Sequence, residues 1–234
     1  MAISAVPSQN SPVLSDIADQ PVCEYRDLGR INYGSALKLQ QELVVQRKEG
    51  VIPDQLLFVE HAAVITLGRN AKGDNILLSE MDLARRGIEV HATDRGGDVT
   101  YHGPGQIVGY PILDLRFWKR DVVEYLRVLE QVMIEAVRPL GVRAGRLAGC
   151  TGCWVGDAKL GAIGVHISRW VTSHGFALNL SPELKHFGYI VPCGIDKPVT
   201  SVAQLTGMDP DREQVRHLLV NSFGKAFGRL MVAD

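Results

Sequence analysis

Hydrophobic and polar positions alternate along this chain with two different periods. Between 121 and 138 the apolar residues Val122, Leu126, Leu129, Met133 and Ala136 recur at helical spacing and share one face. Asp121 and Glu124 stand where an N-cap and its return partner belong, and Pro139 and Gly141 stop the helix. A second helix is predicted after Asp209-Pro210, with Val215, Leu218, Leu219, Ser222 and Ala226 on its buried face. Two more are predicted near 34–48 and from Ser79 to Arg86, the latter closed by Gly87.

Elsewhere the pattern is that of strands. They are predicted at 55–68 with a break or turn inside, at 88–93, 99–102 and 106–113, and as a run of three or four across 152–180. Gly156-Asp157 marks a hairpin turn between "GCWV" and "AKLGAIGV", and Ser168–Trp170 the next reversal. Consecutive strands with no helix between them imply antiparallel pairing, which excludes a doubly wound parallel sheet. One α+β domain over 21–234 is expected, behind a disordered tail at 1–20.

Composition narrows the partners. The chain has 234 residues, 46 % of them hydrophobic and 22 % charged, and a formal charge of −1 that offers nucleic acid no electrostatic footprint. Any acidic partner needs a local patch, for which Arg138, Arg143 and Arg146 are the candidates. Residues 1–20 hold no Lys or Arg and are not a secretion signal. No window reaches the ~18 consecutive apolar residues of a membrane span. Four cysteines without a secretory signal suggest reduced thiols in a cytoplasm.

The densest chemical signal is "RGGDVTYHGPGQ" (95–106), in which five of twelve residues are Gly or Pro around the strand formers Val99, Thr100 and Tyr101. Arg95, Asp98, His102 and Gln106 cluster where a glycine-rich loop holds backbone N–H groups open to a ligand. It lacks the ending of a P-loop and the following helix of a dinucleotide fingerprint. Cys150-Thr151-Gly152-Cys153 is a CxxC, but a zinc site wants a second pair and a thioredoxin-like site wants a strand-to-helix junction, so it reads as incidental. Cys193 in "YIVPCGIDKP" is held between Pro192 and Gly194, a setting that suits a nucleophile better than a core packer, and the Gly194 N–H is free of encumbrance as an oxyanion donor. His61, His102 and His174 lie at strand ends or beside Gly and are candidates to line one pocket. Lys159 opens a strand stripped of bulk by Gly161, Ala162 and Gly164, which invites something to approach that backbone.

With "RGGDVTYHGPGQIVGYPI", "AKLGAIGVHISRWVTSHGFALNL" and "IVPCGI" in this order, the chain resembles the lipoyl(octanoyl) transferases over about residues 24–225. The resemblance implies the fold of biotin and lipoate ligase catalytic domains, a mainly antiparallel or mixed sheet flanked by helices. It makes Cys193 the residue that is acylated and Lys159 the residue that lowers its pKa. It assigns the acyl substrate to Arg95, Gly96, Gly97, Asp98, Val99, Thr100, Tyr101 and His102, to Ala162, Ile163 and Gly164, and to Gly175, Phe176 and Ala177. Asp98 occupies a position that varies in the family, and neither Cys150 nor Cys153 is required. The small residues after Lys159 are expected to make room for an eight-carbon chain. The implied donor is octanoyl-acyl carrier protein. The implied acceptors are lipoyl domains of 2-oxoacid dehydrogenase E2 subunits and the glycine cleavage H protein, with no cofactor and no metal. An ATP-dependent lipoate–protein ligase on the same fold and a non-catalytic carrier-binding module are the competing expectations.

Overall fold

The computed structural model describes residues 20–71, 75–191 and 197–234. Cys193, its neighbour Gly194 and residues 1–19 of the expected tail lie outside them.

Among the described residues eleven strands form two sheets. The larger sheet contains β1 (Val22–Ile31), β2 (Asp54–His61), β6 (Gln106–Ile112), β7 (Gly145–Leu147), β8 (Cys150–Val155), β9 (Ala158–Ser168), β10 (Val171–Asn179) and β11 (Leu230–Ala233). Their order is β11-β1-β2-β6-β10-β9-β8-β7. The smaller sheet orders β4 (Glu89–Ala92), β3 (Val64–Leu67) and β5 (Val99–His102) as β4-β3-β5. The helices are α1 (Tyr33–Glu49), α2 (Glu80–Arg85), α3 (Val122–Val137), α4 (Val202–Thr206) and α5 (Arg212–Phe227).

Both sheets are mixed. From β2 through β7 the large sheet is antiparallel, whereas β1 runs parallel to β2 and to β11, and β3 runs parallel to β4. Strands β1, β7 and β11 have no counterpart among the predicted ones, and with β1 unread the β1–α1–β2 crossover was out of view. The predicted strand at 55–68 divides into β2 and β3. The reversal at Ser168–Trp170 is a turn in which both Arg169 (φ 51°) and Trp170 (φ 68°) are left-handed, the backbone signature of a type I′ hairpin.

Strand side chains alternate between two cores, as a period of two requires. Leu56, Phe58, Ile107, Phe176 and Leu178 face α3 and α5, while Leu57, Val59, Val108, Tyr110 and Ala177 face α1. Asp121 and Ser79 cap the helices they were expected to open, accepting from Glu124 N–H and Asp82 N–H, and Asn32 caps α1 by accepting from Ser35 N–H. On α3, Leu129, Met133 and Ala136 are fully buried. Val122 is 43 % exposed and Leu126 only partly buried, so the first turn and a half of the apolar stripe is not core. Those two side chains border a cavity instead.

Candidate active site

The cavity has a volume of about 500 Å³ and opens between β9, β10, the loop before β5 and the first turns of α1 and α3. Every described residue that the resemblance assigned to the site lies on its wall. The loop and β5 contribute Arg95, Gly96, Gly97, Asp98, Val99, Thr100, Tyr101 and His102. Strand β9 contributes Lys159, Ala162, Ile163 and Gly164, and β10 contributes Gly175, Phe176 and Ala177.

The glycine-rich loop is shaped by backbone bonds before any side chain acts. Gly68 N–H donates to Asp98 O, Arg69 N–H to Arg95 O and Asn70 N–H to Gly97 O, at 3.0–3.1 Å, and Gly96 N–H donates to Val165 O at 2.8 Å. Arg95, 7 % exposed, donates from Nη2 to Thr66 O at 2.7 Å and to Thr66 Oγ1 at 2.9 Å, and from Nη1 to Gly96 O at 3.0 Å. Asp98 uses one carboxylate oxygen on Val99 N–H (2.7 Å) and the other on Asn75 Nδ2 (2.5 Å). Its visible work is to fix the loop.

What approaches the bare stretch of β9 is the protein itself. A Cβ on Gly161 would meet Met133 Sδ at 2.7 Å, and one on Gly164 would meet Gly96 O at 3.0 Å and Arg95 Cδ at 3.1 Å. At these two glycines α3 and the Arg95 loop close on the strand, while Ala162, Ile163 and Gly164 also line the cavity. The walls that face the cavity with apolar bulk are Ile163, Phe176, Val122 and Leu126.

Lys159 sits at the opposite end of this wall from His174. Its N–H donates to Pro198 O (2.8 Å), its C=O accepts from Thr200 N–H (3.0 Å), and its Nζ lies 4.8 Å from the centre of the Trp154 ring. The chain that resumes after the undescribed segment is therefore laddered directly onto Lys159.

Most titratable groups here are uncharged near neutrality. Burial, with His61 and Arg95 nearby, pushes His102 down to about 3. Burial also lowers His174, against the pull of Asp94, whose Oδ1 lies 2.7 Å from His174 Nε2. Burial raises Tyr33 and Tyr101 to about 12. Of the three histidines expected to line one pocket, His102 and His174 do so and His61 does not. His61 is fully buried, with Nδ1 3.0 Å from Ile31 O and Nε2 2.7 Å from Tyr110 Oη, and serves the core.

Two further expectations shift. The CxxC is split by burial: Cys153 is a core thiol pushed up to about 12 by desolvation, while Cys150 and Thr151 reach the cavity wall. Both cysteines are free, and among the described residues no His/Cys/Asp/Glu group is arranged to hold a metal. The suggested arginine patch is largely committed, since Arg146 Nε donates to the buried Glu130 at 2.8 Å and Arg138 pairs with Glu135 at 2.9 Å. Sequence reasoning passed over Asn179, Val199 and Tyr33 on the cavity wall. For Asn179 the signal was present, an amide between Leu178 and Leu180 in a buried strand.

The sequence matches a family model described as the lipoyl protein ligase A/B catalytic domain over residues 32–224. Relatives named octanoyltransferase include one from Solibacter usitatus, 55 % identical over 88 % of this chain and 93 % of its own length. Another, from Koribacter versatilis, is 52 % identical over 86 % and 82 %. A mitochondrial one from Arabidopsis thaliana is 47 % identical over 86 % of each chain. Among solved structures, lipoate-protein ligase A bound with ATP superposes with a TM-score of 0.73 at 16 % identity, over 92 % of this chain and 88 % of that one. A bi-partite lipoate protein ligase from Thermoplasma acidophilum, solved with its E2 lipoyl domain, gives 0.69 at 16 % over 91 % and 87 %. A biotin protein ligase from Aquifex aeolicus gives 0.54 at 14 % over 88 % and 70 %. At such identities the structural likeness speaks for the fold.

Proposed function

This chain belongs to the lipoyl protein ligase A/B catalytic-domain family and is an acyltransferase, and from that premise we propose that it moves an octanoyl group from acyl carrier protein to a lysine of lipoyl domains. Cys193 carries the acyl group as a thioester between two half-reactions, and Lys159 handles the proton. The observation that carries this reading is one cavity of about 500 Å³ shared by Lys159, the glycine-rich loop and the apolar wall of Ile163, Phe176, Val122 and Leu126. Pro198, five positions after Cys193, accepts the Lys159 N–H.

An ordinary thiol, pKa ~8.5, is only a few per cent thiolate at neutral pH, and a neighbouring ammonium favours the anion. The Cys193 thiolate attacks the donor's thioester carbonyl, the carrier thiolate leaves, and Lys159 gives it a proton. The acceptor amine then attacks the acyl-Cys193 thioester, Cys193 leaves as thiolate, and the amine's proton returns to Lys159. Activation passes from one thioester to another, so no nucleotide is consumed. Neutral His102, Tyr33 and Tyr101 add no charge to the part of the wall that they line. At ~0.8 kcal/mol per buried CH₂, seven carbons would supply about 5 kcal/mol of selectivity for a medium chain.

Incubation with octanoyl-acyl carrier protein should add one octanoyl mass on the peptide containing Cys193, and transfer to a lipoyl domain should proceed without ATP or magnesium. Acylation found on Cys150 or Cys153, or transfer that stops when ATP is removed, would replace this reading with another. Lys159→Arg should still form acyl-enzyme but pass it on slowly, because guanidinium keeps its charge and does not give up its proton in this range.

A further inference from the structure

A buried hydrogen-bond relay ends at Lys159. Asn179 closes β10 and is 4 % exposed between two core leucines, Leu178 and Leu180. Its Oδ1 accepts from Gln106 Nε2 at 2.9 Å, and its Nδ2 donates to Thr200 O at 2.9 Å. Thr200 N–H donates to Lys159 O, and Lys159 N–H donates to Pro198 O. At the far end, Gln106 Oε1 accepts from Gly103 N–H at 3.3 Å and lies 3.3 Å from His102 Nδ1.

The orientation of both amides is dictated from outside. Gly103 offers only an N–H, so Gln106 must turn its oxygen there and its nitrogen to Asn179. Thr200 offers only a carbonyl, so Asn179 must turn its nitrogen there and its oxygen to Gln106. The two constraints agree, and no buried atom of the pair is left without a partner. Burying an amide in a strand costs free energy that a leucine at this position would not. The amide therefore has a task, and its one contact outside the sheet core is the strand segment bearing Thr200.

We propose that Asn179 is a positioning residue: by gripping Thr200 it sets the 198–200 segment against Lys159, and so holds the Lys159 amine in place for its proton transfers. The Lys159 ammonium rests on the Trp154 ring, so its placement follows the backbone that the relay holds. This rests on the reading of Lys159 as the partner of Cys193.

The test is a double-mutant cycle read by the rate of iodoacetamide alkylation of Cys193 across pH in wild type, Asn179→Ser, Lys159→Ala and the double variant. Asn179→Ser should slow alkylation at neutral pH by about tenfold, a size expected of coupled neighbours, and have no further effect in the Lys159→Ala background. Should the serine variant fold poorly by thermal melting, Asn179→Ala takes its place, which loses the donor to Thr200 without adding a charge that would itself couple to Lys159. An equal effect with and without Lys159, or no effect in wild type, overturns the proposal. If Lys159→Ala alone leaves alkylation unchanged, the pairing of Lys159 with Cys193 falls first and takes this inference with it.

Discussion

Two groups of polar side chains, each centred on buried residues, are built of opposite materials in this molecule. Asp54, 2 % exposed, accepts from Arg47 Nε at 2.8 Å, Arg229 Nε at 2.9 Å and Asp114 N–H at 3.0 Å, and Asp114 in turn grips Arg116. Beside the cavity, His102, Gln106, Asn179 and Thr200 are 2–8 % exposed and carry amides, a hydroxyl and a neutral imidazole. The first group fastens the end of α1, the start of β2 and the approach to β11, where ions can be buried because each meets its counter-ion. The second flanks the cavity, and the buried guanidinium of the same wall, Arg95, is turned onto Thr66 O, Thr66 Oγ1 and Gly96 O. The lesson is one of materials: ion pairs anchor the first group, while neutral amides build the second.

The sharpest way to break this contrast is to remove the anchor. Asp54→Asn leaves Arg229 buried without its ion partner and should cost about 3–5 kcal/mol of stability in urea unfolding. The transfer rate per folded molecule should be unchanged, and a fall in that rate would mean that the zones are not separate.

Acid should separate them next. The folded pKa of His102 lies below its unfolded value, so its contribution is fully present above ~6.5 and is lost as pH falls toward about 3. Within that window stability should drop by about 1.4 kcal/mol per pH unit from this residue, and His102→Gln should flatten the slope. The charged zone should hold until lower pH. Burial would raise Asp114, but the bonds from Arg116 outweigh it and keep the carboxyl below its usual value, so its contribution is lost only as pH falls through that depressed value. Unfolding free energies measured from pH 7.5 to 4 for both proteins would test the order.

The smallest effect concerns the two thiols of the CxxC. Cys153→Val should cost less than about 1.5 kcal/mol, as a near volume-conserving core change, and leave transfer intact. Cys150→Ser, on the cavity wall, should be neutral in stability and alter transfer by no more than a few-fold. A loss of activity on either substitution would show that the motif is not incidental.

How far the sequence was legible follows the same division. The helix starts at Asp121 and Ser79 and the strand Val99–His102 could be read because short-range chemistry decides them. Strand β1 could not, because "VCEYRDLGRI" has no clean alternation and depends on distant partners. Glu24 meets Gln55, Asp27 meets Arg212 and Arg26 meets Asp234. The site motifs lie together as their shared glycine and strand pattern suggests, but the division of labour within them was hidden. Gly161 looks like room for a ligand until Met133 is seen to fill it. Val122 and Leu126 satisfy a helical core period yet face the cavity, since periodicity reports an apolar neighbour and not whether that neighbour is protein.

The pairing of β1 with β11 has a consequence in time. Val22 through Tyr25 lie beside Leu230 through Ala233, and Leu230 N–H donates to Pro21 O at 3.1 Å. During synthesis β1 emerges before β11, and its outer edge waits for a partner made about two hundred and eight residues later, as an open template for stray pairing. Closing so long a loop is entropically costly and slow, and native contacts of such separation retard folding. The nascent chain therefore carries its greatest aggregation hazard in the interval before β11 docks, and a holdase that shields an exposed strand edge would help it most then.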